Sequence, residues 1–238
     1  MNRIVMILLK NFFRLPFVMW KLCRYARHPQ RYTEEERWAY IQHVLGLALK
    51  SSNVDLQVTG TGNLPREGGF MLYGNHQGLF DVVALANACP LPLAIVYKKE
   101  LRSVPILKQI YAMTGSFAMD REDVRQSLTV INAVTGEVQK GRRYIIFPEG
   151  TRSRKGNQMN PFHAGSFRCA TKSKCTVVPM AFVNSFAAFD QKGCHPMTVR
   201  LSFLDPITYE EYRDMKPAQL ADMVQDRIRA AIDAEVNR

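Results

Sequence analysis

The chain has 238 residues, 47% of them apolar, which is enough for one sizeable core and excludes a disordered chain. Lys and Arg number 32 against 21 Asp and Glu, so the formal charge of +11 points to an anionic partner: nucleic acid, a membrane surface or a phosphorylated substrate. The five cysteines are odd in number and show no CxxC pair or zinc spacing, so they read as reduced thiols rather than a disulfide framework.

Residues 1–31 hold seven basic side chains (Arg3, Lys10, Arg14, Lys21, Arg24, Arg27, Arg31) and no acidic one. The apolar runs at 4–9 and 15–20 are far shorter than the ~20 residues of a transmembrane helix. Lys10 and Arg14 interrupt any signal-peptide core. The spacings from Arg3 through Lys10, Arg14, Lys21 and Arg24 are 7, 4, 7 and 3, which puts these cations on one side of a helix. Ile4, Ile7, Leu8, Phe12 and Val18 spread over the rest, beside Phe13, Phe17 and Trp20. The pattern predicts a helix lying in a membrane interface, with its cations toward anionic lipid head groups. The alternative is a helix packed on the protein's own core with a solvated basic edge. Pro16 either kinks this helix or starts a second one. Thr33 and Glu34-Glu35-Glu36 read as the cap and acidic first turn of a helix running to about residue 51.

From residue 54 the texture changes. Strands are predicted at 54–58, 70–73, 92–97, 116–119, 144–147, 176–183 and 198–204. Helices are predicted at 79–89, 101–113 (Pro105 near its start), 124–140, 164–173 and 217–236. This alternation predicts an α/β fold: a single domain over 53–238 with a central, mostly parallel sheet flanked by helices. It is preceded by an amphipathic helical membrane-binding segment over 1–52.

The stretch Gly74-Asn75-His76-Gln77-Gly78-Leu79-Phe80-Asp81 joins a strand to a helix. A carboxylate five residues after a His can fold back onto one imidazole nitrogen, fix the tautomer and leave the other as a base. Alone, such a pair is more often a helix-capping Asp beside a surface His. Polar clusters recur, however, at strand carboxyl ends: Asn75-His76, Lys98-Lys99, Asp120-Arg121 and 149–152. Parallel strands bring such loops to one edge of the sheet. Cations and exposed amide N–H groups suit a phosphate, and a His–Asp pair suits removing a proton from a hydroxyl. No Ser or Cys sits in a nucleophile elbow, so no acyl-enzyme is suggested. No P-loop is present. These features predict group transfer onto a phosphorylated alcohol near a membrane. A nucleic-acid-binding protein is the rival explanation of the charge, but the aromatics cluster on the amino-terminal apolar face instead of interleaving with cations.

Asn75-His76-Gln77-Gly78-Leu79-Phe80-Asp81 resembles the NHxxxxD block of glycerolipid acyltransferases. Gly115-Ser116-Phe117-Ala118-Met119-Asp120-Arg121 resembles their second block, Phe147-Pro148-Glu149-Gly150-Thr151-Arg152-Ser153 their third, and Val177-Val178-Pro179-Met180 their fourth. The chain is most similar to the 1-acyl-glycerol-3-phosphate (lysophosphatidic acid) acyltransferase group. That resemblance implies His76 as general base and Asp81 as its orienting partner. It implies acceptor binding by Arg121, Glu149, Gly150, Thr151 and Arg152, a site-shaping role for Pro179, and a cation from Lys98 or Lys99 at the developing oxyanion. The implied acyl donor is acyl-CoA or acyl carrier protein, with no metal and no cofactor. The resemblance does not cover residues 1–50, so membrane association, peripheral or monotopic at the cytoplasmic face, rests on the helix spacing there; the expected partners are lysophosphatidic acid and anionic membrane lipid, with no nucleic acid. Another lysolipid or alcohol acceptor is the alternative within the family. One departure is Pro161-Phe162-His163-Ala164-Gly165, where the family often carries Lys in place of His163.

Overall fold

In a computed structural model, which describes residues 2–237, the chain opens with three helices: α1 (Arg3–Lys10), α2 (Leu15–Arg27) and α3 (Glu34–Lys50). There follow β1 (Val54–Thr59), β2 (Phe70–Gly74), α4 (Phe80–Ala88), β3 (Ala94–Lys98), α5 (Leu107–Thr114), β4 (Phe117–Met119) and α6 (Val124–Gln139). The last part holds β5 (Tyr144–Ile146), α7 (Arg168–Ser173), β6 (Thr176–Val183), α8 (Ser185–Asp190), β7 (Met197–Phe203), α9 (Tyr209–Tyr212) and α10 (Pro217–Val236). The strands form one sheet in the order β1-β7-β6-β2-β5-β3-β4. Every pairing is parallel except β6 with β7. Strands β2 to β6 therefore run one way, and their carboxyl ends share one edge.

Strand β2 shows why the sheet is central. All five of its residues are buried. Phe70 and Leu72 enter one core with Leu22, Ile41, Phe80 and Phe182, whereas Met71 enters a second with Val134, Phe167, Val224 and Ile228. Alternation along a strand sends neighbours to opposite faces, and helices cover both. Helices α2 and α3 share the first of these cores with the sheet.

Local chemistry sets the element ends. Thr33 and Glu36 form a reciprocal capping box at α3. The Asp123 carboxylate accepts the amide N–H groups of Arg125 and Gln126 at the start of α6. Pro16 lies in the first turn of α2, so it starts a second helix instead of kinking one. The helix predicted over 101–113 is broken: a 3-10 turn spans Lys99–Ser103 and α5 begins at Leu107. Pro105 donates no hydrogen bond, and Ile106 at φ 69° turns the backbone out of helical space. The helix predicted over 164–173 opens as a 3-10 turn, Ala164–Phe167, before α7.

The amino-terminal helices reverse part of their expected polarity. Arg3 is buried, and its guanidinium donates to the carbonyls of Ser52 and His195. The Lys10 ammonium lies 3.4 Å from the Ser51 carbonyl and 3.4 Å from Asn53 Oδ1. These two cations, expected at lipid head groups, instead hold α1 against the carboxyl end of α3, where helix carbonyls lack intrahelical partners and the dipole favours positive charge. The apolar residues divide: Met6, Val18 and Leu22 are buried, whereas the aromatic side turns outward. Leu9, Phe12, Phe17 and Trp20 are exposed, and Phe13 is 94% exposed. Among the described residues no helix is long and apolar enough to cross a membrane.

Candidate active site

The site is built where β2 ends. Asn75 stitches the exit of β2 to β6: its amide donates to the Phe182 carbonyl at 3.0 Å and accepts the Phe182 N–H at 2.7 Å. The chain then turns sharply enough for Asp81, in the first turn of α4, to face back on His76. Asp81 Oδ2 lies 2.7 Å from His76 Nδ1 and also accepts the N–H groups of Gln77 (2.8 Å) and Gly78 (3.1 Å). Its Oδ1 accepts the Ser185 hydroxyl at 2.5 Å. The carboxylate is fully buried and meets donors on both oxygens, which suits a charged group out of water.

His76 is held from three sides. Its ring stacks on Phe147, with centroids 4.3 Å apart and an interplanar angle of 22°. Its N–H donates to Glu149 Oε1 at 2.7 Å, and its carbonyl accepts the Ser153 N–H at 2.9 Å. With Nδ1 engaged by Asp81, Nε2 is the nitrogen left for a substrate, and the side chain keeps 20% of its surface open.

That open face belongs to a cavity of about 250 Å³, lined by Leu79, Tyr97, Tyr111 and Phe147 on the apolar side. Lys98, Arg121, Thr151, Arg152 and Arg154 line the other. A second, mostly apolar cavity of about 500 Å³ lies behind Phe147 and Arg121, with Met119, Val124, Leu128, Ile131 and Ile146 in its wall. Arg121, Tyr97 and Phe147 border both. Several cations at the first cavity have protein partners: Lys98 pairs with Glu100 at 3.2 Å and Arg152 with Asp190 at 2.9 Å. Lys99 is turned to Asp120.

The predicted site residues therefore separate. His76, Lys98, Arg121, Thr151 and Arg152 meet at one cavity, with Asp81 beneath. Gly150 lines the neighbouring cavity. It sits at φ +69°, and a Cβ there would come within 3.1 Å of the His163 ring, so a side chain would strain the backbone and press on His163. Glu149 is buried, and its oxygens take the backbone N–H groups of His76 and Asn160 (2.8 Å). Burial pushes its carboxyl above the ordinary carboxylate range, and those two N–H groups oppose the shift. Pro179 is buried in the middle of β6 opposite Tyr73, and it lines neither cavity. It lies in β6 between parallel β2 and antiparallel β7, and its carbonyl accepts the Leu204 N–H at 2.9 Å.

Ser185 and Asp190, both on α8, were outside the predicted set. The rule that found the others reaches Ser185 too, because it follows the carboxyl end of a parallel strand, β6. No group of three or more His, Cys, Asp or Glu side chains placed to hold a metal occurs among the described residues.

A family model described as Acyltransferase matches residues 55–183, which carry His76, Asp81, Arg121, Glu149 and Arg152. The 1-acyl-sn-glycerol-3-phosphate acyltransferase of Saccharomyces cerevisiae is 31% identical over 194 residues, covering 78% of this chain and 61% of that protein. The chain thus matches about three fifths of the yeast relative's length. The enzyme of the same name from Salmonella typhimurium is 31% identical over 174 residues, covering 71% of this chain and 70% of that one. The crystal structure of the 1-acyl-sn-glycerophosphate (LPA) acyltransferase PlsC from Thermotoga maritima superposes with a TM-score of 0.77 at 20% identity. It covers 97% of this chain and 92% of that one, and so shares the fold. With this match to the family model and to these relatives, the chain is an enzyme of the acyltransferase family.

Proposed function

We propose that this acyltransferase moves a fatty acyl chain from a thioester donor, acyl-CoA or acyl carrier protein, to the free hydroxyl of 1-acyl-glycerol 3-phosphate, giving phosphatidic acid. The observation that carries the reading is the His76–Asp81 pair opening onto a cation-lined cavity. His76 Nε2 takes the hydroxyl proton as the acceptor oxygen attacks the thioester carbonyl. The tetrahedral intermediate collapses, the C–S bond breaks, and the leaving thiolate recovers the proton from the imidazolium. Asp81 stabilises the imidazolium while it exists. Arg121, Thr151 and Arg152 bind the phosphate, and Lys98 supplies positive charge for the phosphate or the oxyanion. Glu149 acts on the acceptor indirectly, by holding the backbone of His76. The Ser185 hydroxyl, which is buried and committed to Asp81, is not free to act as a nucleophile, which supports direct transfer without an acyl-enzyme.

Purified enzyme in detergent, given a panel of lysolipids and a matched acyl thioester, is expected to acylate lysophosphatidic acid in preference to neutral or choline-bearing lysolipids. Absence of turnover on lysophosphatidic acid would overturn the substrate assignment and leave another acceptor of the family.

The outward apolar side of α1 and α2 is read as the membrane contact, in peripheral association with anionic lipid. The triple variant Phe13→Ser, Phe17→Ser, Trp20→Ser is expected to lose at least about a hundredfold in affinity for anionic liposomes, since each buried aromatic contributes roughly 1.5–3 kcal/mol. Flotation at fixed salt measures it. Retained flotation places the contact elsewhere.

A further inference from the structure

We propose that Ser185 is a positioning residue for the acyl transfer, holding Asp81 so that its other oxygen faces His76; the proposal rests on the general-base reading above. Ser185 is fully buried, and its hydroxyl lies 2.5 Å from Asp81 Oδ1. Asp81 Oδ2 is already occupied by His76 Nδ1 and by the N–H groups of Gln77 and Gly78. Among the described residues the Ser185 hydroxyl is the donor to Oδ1, and it fixes the rotation of the carboxylate about its own axis. A serine at the start of a helix ordinarily serves the amides of its own first turn. This one donates outside its helix, across 104 positions of chain, to the carboxylate of the catalytic pair.

The placement of Ser185 is itself built. Its N–H donates to Gln77 Oε1 at 2.8 Å, so the His76 loop grips the residue that steadies it. Asn184 precedes it at φ 63°, a left-handed backbone that Asn adopts more readily than most residues. Asn157 Oδ1 accepts both the Asn184 N–H (2.8 Å) and the Gln77 side-chain amide (2.9 Å), and Asn157 Nδ2 donates to Asn184 Oδ1 at 3.0 Å. Three loops, after β2, β5 and β6, are therefore joined by one chain of amides that ends at the Ser185 N–H. If Ser185 loses that hydroxyl, Asp81 Oδ1 is buried without a donor and bears the full desolvation cost of a charged oxygen. The carboxylate then turns or shifts to find a donor, and its line to His76 Nδ1 is lost. The imidazolium forms only during reaction, so the loss falls on turnover and not on substrate binding.

The test compares Ser185→Ala, Asp81→Asn and the double variant with wild type, folding being checked by circular dichroism. Ser185→Ala is expected to lower kcat about tenfold with KM for both substrates unchanged within about twofold. In the Asp81→Asn background the same substitution is expected to cost almost nothing more, because the two residues act as one unit. If Ser185→Ala does not fold, Ser185→Cys keeps the shape with a weak donor and carries the same readouts. Wild-type kcat in a folded Ser185 variant, an effect on KM alone, or full additivity with Asp81→Asn would overturn the role of Ser185. If Asp81→Asn itself retains wild-type kcat, the general-base reading fails first, and Ser185 with it.

Discussion

Replacing His76 with Ala is expected to lower kcat/KM by about 10²–10⁴-fold, the range that a positioned general base contributes. The deficit should lie in kcat, because the ring takes a proton only as the acceptor oxygen attacks. The fold should survive. His76 side-chain contacts are the stack on Phe147 and the hydrogen bond to Asp81, while its backbone anchors, Glu149 and Ser153, do not depend on the ring. Losing an aromatic stack costs roughly 0.5–1.5 kcal/mol beyond area burial, too little to unfold a domain of this size. Thiol release from acyl-CoA in the presence of lysophosphatidic acid measures the rate. A near-normal rate in a folded His76→Ala variant removes His76 as the base.

Glu149→Gln is expected to damage both stability and rate although the side chain is fully enclosed. Each carboxylate oxygen accepts one backbone N–H, from His76 at 2.7 Å and from Asn160 at 2.8 Å. Glutamine has one acceptor and one amino group, so it sets a donor against one of those N–H groups. A buried group left unpaired costs about 1–3 kcal/mol, which lowers Tm by roughly 2–4 °C per kcal/mol in a chain of this length. Loosening the His76 backbone by a fraction of an ångström is expected to lower kcat/KM about ten- to hundredfold. The carboxyl also leaves a pH signature. Burial raises its folded pKa above the ordinary range, so the folded state holds the proton more tightly than the unfolded chain. Its contribution to stability is therefore fully present below the ordinary carboxylate range and is lost as pH rises through the raised folded value. Urea unfolding of wild type and Glu149→Gln across weakly acidic pH should show a margin between them that narrows as pH rises. A constant margin contradicts the buried titration.

Much of the fold was legible because its rules are local. The cap and acidic first turn at Thr33, the helix-period run from Val124 and the apolar run at Phe70 each place an element with no knowledge of the rest. Pro105 shows where local pattern misleads. A helix-period run continues across it, yet the missing N–H and the Ile106 backbone split the segment into a 3-10 turn and α5. The charges of α1 mislead for a different reason. Periodicity puts Arg3 and Lys10 on one side of a helix but does not say what that side meets. The carbonyls at the end of α3 are better partners than water, so Arg3 turns inward, the exposed Lys10 reaches across to them, and the aromatics face outward.

The sequence by itself determined the candidates: His76 and Asp81 five residues apart, and Arg121 and Arg152 in loops after strands. A short spacing and a strand-then-helix alternation are readable in one dimension, and parallel strands must bring their carboxyl ends to one edge. Only the tertiary structure decided which groups those candidates meet. Glu149 reaches His76 across 73 positions and Ser185 reaches Asp81 across 104. Side-chain alternation fixes the face on which a residue lies but not the neighbour it meets there. That neighbour follows from strand order, which sets β6 beside β2 and so brings the start of α8 under the His76–Asp81 pair.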